Sequence, residues 1–377
     1  MRIGVPKEIK KNEYRVALTP RGVEQFVRSG HDVFIEKNAG KGSGYFDEAY
    51  KEAGAIITDA ADVYEKAEMI YKVKEILPPE YAYMKENLII FTYLHSNGNQ
   101  EMTDVLLNSK VVAISYEDIE DEDGMFPLLK PMSELAGKGG FIAALNFSQS
   151  IHSGNGLMLT RVHGVKTPTV AIIGAGRSGL GAAELASAMG NRVVILDIDM
   201  DKLEEAKFKL PLNVELLHSS RSNLVETLKE ADVMINCILW NKNAKGHLIY
   251  RNDLKLMKPG SLIVDVSCDE KGAIETSRPT SHEKPVYEEE GIQHYVVDNI
   301  PAAFSRTATQ SLCNITLPYA LKIANNGVKK ALSENEYFRK GLCFYKGKLT
   351  LKETAMKFSL EYTDPKDALG IISEDLK

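Results

Sequence analysis

Cysteine is scarce in this 377-residue chain: four occur, at positions 237, 268, 313 and 343, far apart and in no Cys-x-x-Cys pair. No histidine stands near them at metal-ligand spacing, so neither a disulfide framework nor a metal site is expected. They read as reduced thiols of a cytoplasmic protein. Long apolar runs are missing too; none approaches the ~20 residues of a membrane helix. The opening MRIGVPKEIKK lacks the apolar stretch of a secretory leader. Positive charge is not in excess, because 46 Lys and Arg face 52 Asp and Glu for a net −6. No basic field is therefore offered to nucleic acid or anionic lipid. Internal repeats and low-complexity segments are also lacking. A cytoplasmic globular protein is expected, with no nucleic-acid and no membrane partner.

What is present is ordinary globular composition, 44% apolar and 26% charged, which excludes disordered, collagenous and coiled-coil chains. The length suits two domains of roughly 150 residues each. Over the first 115 residues, short β-like runs alternate with amphipathic helical stretches. The runs are Arg2 to Val5, His31 to Ile35, Glu68 to Val73, Leu88 to Tyr93 and Val111 to Ser115. Thr19-Pro20 has the form of an N-cap followed by proline at the first helical position, and Gly30 suits the helix end. Repeated βα units imply a parallel sheet covered on both faces.

From Pro131 to about Ser150 a small-residue-rich stretch, PMSELAGKGGFIAALNFSQS, reads as a long helix connecting two domains. A second series of βα units starts near Thr169. After about Pro301 the chain turns helical, with no strand-like partner following, so these helices are expected to pack onto the first domain. The fold class is α/β: two doubly wound parallel-sheet domains.

Gly174-Ala-Gly176-Arg-Ser-Gly179 follows an apolar strand and opens an Ala-rich helix, and Asp197 ends the next strand, RVVILD. This is the Rossmann dinucleotide fingerprint with its ribose-binding acid in register. Gly174 permits the tight turn, Gly176 the approach of a pyrophosphate, and Gly179 close helix–strand packing. The helix N-terminus favours the diphosphate charge. Asp197 repels a 2′-phosphate, so NAD is the expected cofactor; Lys202 nearby softens that preference.

Ligands of parallel sheets sit at the carboxyl ends of the strands, which draws attention to Arg15 after the first strand, Lys74 at the end of EMIYKVK and His95 at the end of LIIFTYLH. An Arg and a Lys together suit a carboxylate, and a strand-end His suits proton transfer. Lys72 competes with Lys74, because period-2 alternation puts both on one strand face. Asp269, just beyond SLIVDVSC, has the same kind of position in the second series.

These segments, with YKVKE, PMSELAGK, ETSRPT and TLPYALKIANNG, make the chain resemble alanine dehydrogenases in order over nearly its whole length. The same superfamily holds the nucleotide-binding part of proton-translocating transhydrogenase. The resemblance implies reversible NAD-dependent deamination of L-alanine to pyruvate and ammonia by a homo-oligomer, hexamer or dimer, acting on a small amino-acid or keto-acid substrate. It puts the carboxylate-binding arginine on Arg15 and the substrate lysine on Lys74. The acid/base histidine falls on His95 and a second catalytic acid on Asp269. Met132, Ser133 and Asn299 line the substrate, and Ser219 lies near the adenosine. It further implies a discontinuous substrate domain, 1–130 with 305–377, into which a cofactor domain, 131–304, is inserted, with the active site in a cleft.

The chain departs from the family pattern in several loops. Residues 240–247 read WNKNAKGH where the family has a loop like PGAKAP. Asp269-Glu270 replaces Asp-Gln, residues 299–309 read NIPAAFSRTAT, and TRVHGV brings in Arg161 and His163. A different amino acid, or an opine-type reductive coupling, is therefore an alternative substrate class. A transhydrogenase subunit is a further alternative, but SNGNQEMTD stands after FTYLH where that group has an Arg-Gln-Asp loop. A catalytically silent NAD-binding homologue is opposed by the complete residue set.

Overall fold

Runs of β-branched and apolar residues punctuated by capping signals set the layout of the chain. The computed structural model describes residues 1–241, 245–268 and 272–371. Contacts divide the chain into two compact units, Met1–Pro131 with Phe304–Lys377, and Met132–Ala303. The strands in chain order are β1 (Arg2–Val5), β2 (Asp32–Glu36), β3 (Ile56–Thr58), β4 (Met69–Tyr71), β5 (Ile89–Thr92) and β6 (Val112–Ser115). There follow β7 (Thr169–Ile173), β8 (Arg192–Asp197), β9 (Val214–His218), β10 (Val233–Asn236), β11 (Leu262–Asp265), β12 (Val286–Glu289) and β13 (Ile292–Tyr295). Last come β14 (Leu342–Tyr345) and β15 (Lys348–Leu349).

The first unit holds one sheet of order β15-β14-β6-β5-β4-β1-β2-β3. Strands β1 to β6 run parallel. Their centre is apolar on both faces, as in Ile89–Thr92, where every residue is buried; helices cover both sides. Thr19 caps the helix Pro20–Arg28, its side chain accepting the Gly22 N–H, a contact worth about 1 kcal/mol.

Three expectations need correction. The regular strands within EMIYKVK and LIIFTYLH end at Tyr71 and Thr92, with further backbone bonds from the Lys72 and Tyr93 N–H groups, so Lys74 and His95 lie in the turns beyond. Strand β3 is an unforeseen addition at the sheet edge, three residues long and only partly buried. The helical tail does carry strands: β14 pairs antiparallel with β6, and β15 with β14. Four residues, Leu-Cys-Phe-Tyr, between Gly341 and the positive-φ pair Lys346-Gly347 make a hairpin too short for periodicity to reveal. The tail extends the first sheet as well as packing on it.

The second unit has sheet order β12-β13-β11-β10-β7-β8-β9, parallel except for the edge strand β12. Read from β7, the chain builds outward through β8 and β9, then returns to the other side of β7 at β10. That reversal is a topological switch point. The boundary between units falls inside the helix Lys130–Phe147. Its glycines are there for proximity: a Cβ on Gly137 would lie 1.8 Å from the carbonyl oxygen of Ser178, in the helix Arg177–Ala188.

Gly137→Ala isolates this contact. Helix propensity alone favours alanine by about 1 kcal/mol, whereas the clash is expected to cost about 1–3 kcal/mol. A thermal melt should show a lowered Tm; an unchanged or raised Tm would mean that the two helices separate without cost.

Candidate active site

In the first unit, adjacent parallel strands bring their carboxyl ends together, and the candidate residues follow the strand order. The segment after β1 carries Glu8, Glu13 and Arg15. The turn after β4 carries Lys72 and Lys74, that after β5 His95, and that after β6 Glu117. The Lys72–Lys74 turn is fixed from three sides. Glu8 Oε1 accepts the N–H groups of Val73 (2.6 Å) and Lys74 (3.2 Å). The Thr92 hydroxyl donates to the Lys74 carbonyl (2.7 Å), and the Tyr116 hydroxyl to that of Lys72 (2.9 Å).

The two lysines, equivalent by alternation, have different fates because the strand ends between them and Tyr71. Lys72 is fully buried and ion-paired with Glu8 (3.2 Å) and Glu80 (3.0 Å). Glu80 is itself held by the Tyr64 hydroxyl (2.6 Å). That lysine is structural. Lys74 is nearly as buried, yet its ammonium makes no hydrogen bond or ion pair among the described residues. Burial, with Arg15 and Lys10 adding repulsion, holds it below the ordinary lysine range.

Arg15 is also buried, and Glu13 grips it with two side-chain bonds, Nε to Oε1 at 2.7 Å and Nη2 to Oε2 at 2.5 Å. Burial opposes its charge, and the Glu13 contacts outweigh that, so its pKa is raised. His95 has a half-exposed side chain and left-handed backbone, φ 47°. Its ring stacks on Tyr93, centroids 6.3 Å apart and planes 13° apart, and its Nδ1 faces Glu117 Oε1 at 3.5 Å. Tyr93 is buried, with its hydroxyl on the Leu128 carbonyl (2.6 Å). The structure thus brings Arg15, Lys74 and His95 to one end of one sheet. Glu8, Glu13, Tyr93 and Glu117 were missed; the same strand-end rule applied to VAISYED would have marked Glu117.

The second unit repeats the principle at the ends of β7, β8 and β9. Gly174 has φ 102°, and a Cβ there would lie 2.7 Å from the Ile238 side chain. A Cβ on Gly179 would lie 1.8 Å from the Gly174 carbonyl oxygen, while one on Gly176 would meet nothing within 4 Å. The helix Arg177–Ala188 starts at Gly176 with no side-chain cap. Open space before uncapped amides fits a diphosphate. Asp197, buried at the end of β8, accepts the Ala175 N–H (2.6 Å) and the Asp199 N–H (2.9 Å), and its carbonyl accepts the Ser219 N–H (2.9 Å). It therefore ties the Gly-rich turn to the next two strand ends. Lys202 is paired with Asp199 at 3.6 Å.

Of the remaining candidates, Met132 and Ser133 lie in the first turn of Lys130–Phe147. Asn299, with φ 64°, precedes the 3-10 turn Ile300–Phe304. Asp269 lies outside the described residues. In the changed loops, Trp240 packs partly against the core of the second unit and Arg161 lies against Gly190.

Two parallel-dominated α/β sheets, one with a Gly-rich βα turn and one with cationic residues at its strand ends, define a dehydrogenase-type oxidoreductase. Similarity to known proteins narrows this. Family models match "Alanine dehydrogenase/PNT, N-terminal domain" over residues 4–136 and "Alanine dehydrogenase/PNT, C-terminal domain" over 140–352. An alanine dehydrogenase of Methanococcus maripaludis is 44% identical over 372 residues, 98% of this chain and 100% of its own length. One of Staphylococcus haemolyticus is 42% identical over 371 residues, 98% and 99% respectively. A solved L-alanine dehydrogenase matches with TM-score 0.91 and 40% identity, covering 95% of this chain and 99% of that one. A transhydrogenase from Sinorhizobium meliloti, 21% identical with TM-score 0.80 over 93% and 99%, shares the fold. The chain belongs to the alanine dehydrogenase/PNT family.

The contrast between the two lysines is measurable. Lys72→Met strands two buried carboxylates and should cost about 3–5 kcal/mol, lowering Tm by about 10 °C. Lys74→Met removes a buried cation without a described partner and should leave Tm unchanged or raise it. Equal losses would refute the assignment of separate roles.

Proposed function

We propose that this chain catalyses the reversible NAD-dependent oxidative deamination of L-alanine to pyruvate and ammonia. The observation that carries the reading is Lys74, a largely buried side chain near Arg15 at the strand ends whose ammonium makes no ion pair among the described residues. A buried cation in that state calls for an anionic ligand, and a small carboxylate matches an Arg and Lys pair. Alanine dehydrogenases 41–44% identical over nearly the whole chain support the choice of amino acid. We also infer a cytoplasmic homo-oligomer from that likeness.

Gly174, Gly176 and Gly179 would hold the cofactor's diphosphate at the helix N-terminus, with Asp197 toward the ribose hydroxyls and Ser219 near the adenosine. The chemistry NAD supplies when bound is that of a hydride acceptor for the substrate Cα. Arg15 and Lys74 anchor the carboxylate and so fix the Cα position, on which hydride transfer depends. Lys74 also polarises the carbonyl that develops. Water added to the oxidised carbon must lose a proton, and His95 takes it at Nε2, the nitrogen turned away from Glu117. Asp269 orients that water or stabilises the cationic imine. Met132, Ser133 and Asn299 line the substrate. The altered loops at 240–247 and 299–309 favour, as a second reading, the same chemistry on another amino acid or an opine-type coupling.

A spectrophotometric screen of NAD reduction over L-amino acids, with the reverse reaction on keto acids plus ammonia or other amines, tests the assignment. Turnover should be highest with alanine. Turnover only with another substrate would reject alanine and retain the mechanism; none with any would reject both.

The state of Lys74 predicts a pH dependence. Its proton is needed to hold the carboxylate and is lost at a lower pH than for an ordinary lysine. At saturating NADH and ammonium, the KM for pyruvate should therefore rise on the alkaline side. In Lys74→Arg, where the cation stays charged, that rise should vanish. A wild-type KM flat with pH would contradict the role.

A further inference from the structure

We infer that Glu117 is a positioning residue for His95: it clamps the backbone at Leu94-His95 and fixes the proton on Nδ1, leaving Nε2 as the basic nitrogen. The inference rests on the functional reading above for the meaning of His95, and on geometry for everything else. Glu117 lies in the turn after β6, beside the end of β5. Its Oε1 accepts the N–H of Leu94 at 3.0 Å and of His95 at 2.5 Å, and Oε2 also lies 3.1 Å from the Leu94 nitrogen. The same Oε1 faces His95 Nδ1 at 3.5 Å.

Each contact has a physical consequence. A non-glycine residue at φ 47° is strained by about 1–2 kcal/mol, and two charge-assisted bonds to consecutive amides offset that cost at the position where it arises. Among the described residues, the ring is also constrained by the Tyr93 face against it. A carboxylate opposite Nδ1 accepts a hydrogen bond and gives none, so Nδ1 carries the proton in the neutral ring and Nε2 is the acceptor. Such contacts are commonly long before substrate binds and tighten in the reacting complex.

The charged and titratable groups around Glu117 come from several elements. Asp118 is its neighbour in the turn, pushed up to about 6 by burial and by Glu117, and bonded to the Ser115 hydroxyl at 2.6 Å. Cys343 of β14 reaches Asp118 (3.5 Å), and Glu353 adds repulsion there. Tyr93 is pushed up chiefly by burial and feels the charges of both Arg15 and Glu117. None of these offers a carboxylate to His95; Glu117 does.

The experiment uses the full chain with 15N-labelled histidine, wild type and the variants Glu117→Ala and Glu117→Gln, with His95→Gln to identify the resonances. The wild-type His95 ring should show a protonated Nδ1 and a bare Nε2 at alkaline pH, and Glu117→Ala should lose that preference. With alanine and NAD, kcat of Glu117→Ala should fall ten- to a hundredfold while KM changes less than threefold. Glu117→Gln keeps a carbonyl oxygen for the two backbone amides and guards against loss of folding; it should melt like wild type and lose kcat to a lesser degree. A wild-type ring protonated at Nε2, or the same tautomer and kcat in Glu117→Ala, would overturn the inference. If the tautomer changes but the wild type oxidises no amino acid, the contact stands and the functional reading falls.

Discussion

Six charged side chains are buried together at the carboxyl ends of β1 and β4: Glu8, Glu13, Arg15, Lys72, Lys74 and Glu80. Placing charge away from water is expensive unless each charge is paired and hydrogen-bonded. That constraint organises the whole end of the sheet. Glu13 answers Arg15, Glu8 and Glu80 answer Lys72, and the Tyr64 hydroxyl and the Leu77 N–H complete Glu80. Glu8 does two jobs, pairing with Lys72 through one oxygen and receiving two backbone amides on the other. The turn that carries Lys74 is thus built on a neighbouring lysine that is fully buried and paired.

The cofactor unit solves a different problem with the same device. Its Gly-rich turn must leave amides open at a helix start, and an open turn has few contacts of its own. Asp197 supplies them by accepting the Ala175 and Asp199 N–H groups, each from a separate loop. Both carboxylate oxygens have further lone pairs, so this scaffolding and the binding of ribose hydroxyls are compatible. In each unit a buried carboxylate takes backbone amides next to the residues proposed to bind ligand, and this pre-organises them.

Much of this was legible in the sequence because it depended on local pattern. The strand RVVILD, the cap Thr19-Pro20 and the glycine fingerprint each express their reason within a few residues. The long helix from residue 130 was legible from its small residues, although the Ser178 carbonyl that requires Gly137 was not. Illegible features depended on what lies across the sheet. Alternation could not separate Lys72 from Lys74, because the strand ends at Tyr71 and the partners of Lys72 come from residues 8 and 80. The strand end VAISYED could have marked Glu117 as polar, but its partner was hidden, because that depends on β5 and β6 being neighbours. The hairpin of β14 and β15 was hidden by its shortness and exists because β6 has an edge to cover.

The asymmetry among the buried charges is the most informative feature for function. A chain selected only for stability would pair Lys74 or replace it with an apolar side chain, as either would remove a penalty. It retains a desolvated ammonium whose proton is held less tightly than usual. Glu13 grips the adjacent Arg15 with two side-chain bonds, which hold its planar group at a fixed angle. On the proposed reading the labour divides: Arg15 supplies direction and Lys74 supplies charge. A ligand bringing one carboxylate relieves the penalty when it binds, so the same interaction that destabilises the empty fold contributes to affinity. On that reading the two cations recognise a carboxylate and say nothing of the side chain beside it. Discrimination between alanine and larger amino acids is left, on the same proposed reading, to other residues, and the segments that differ from the family pattern, 240–247 and 299–309, are proposed as the places where specificity changes.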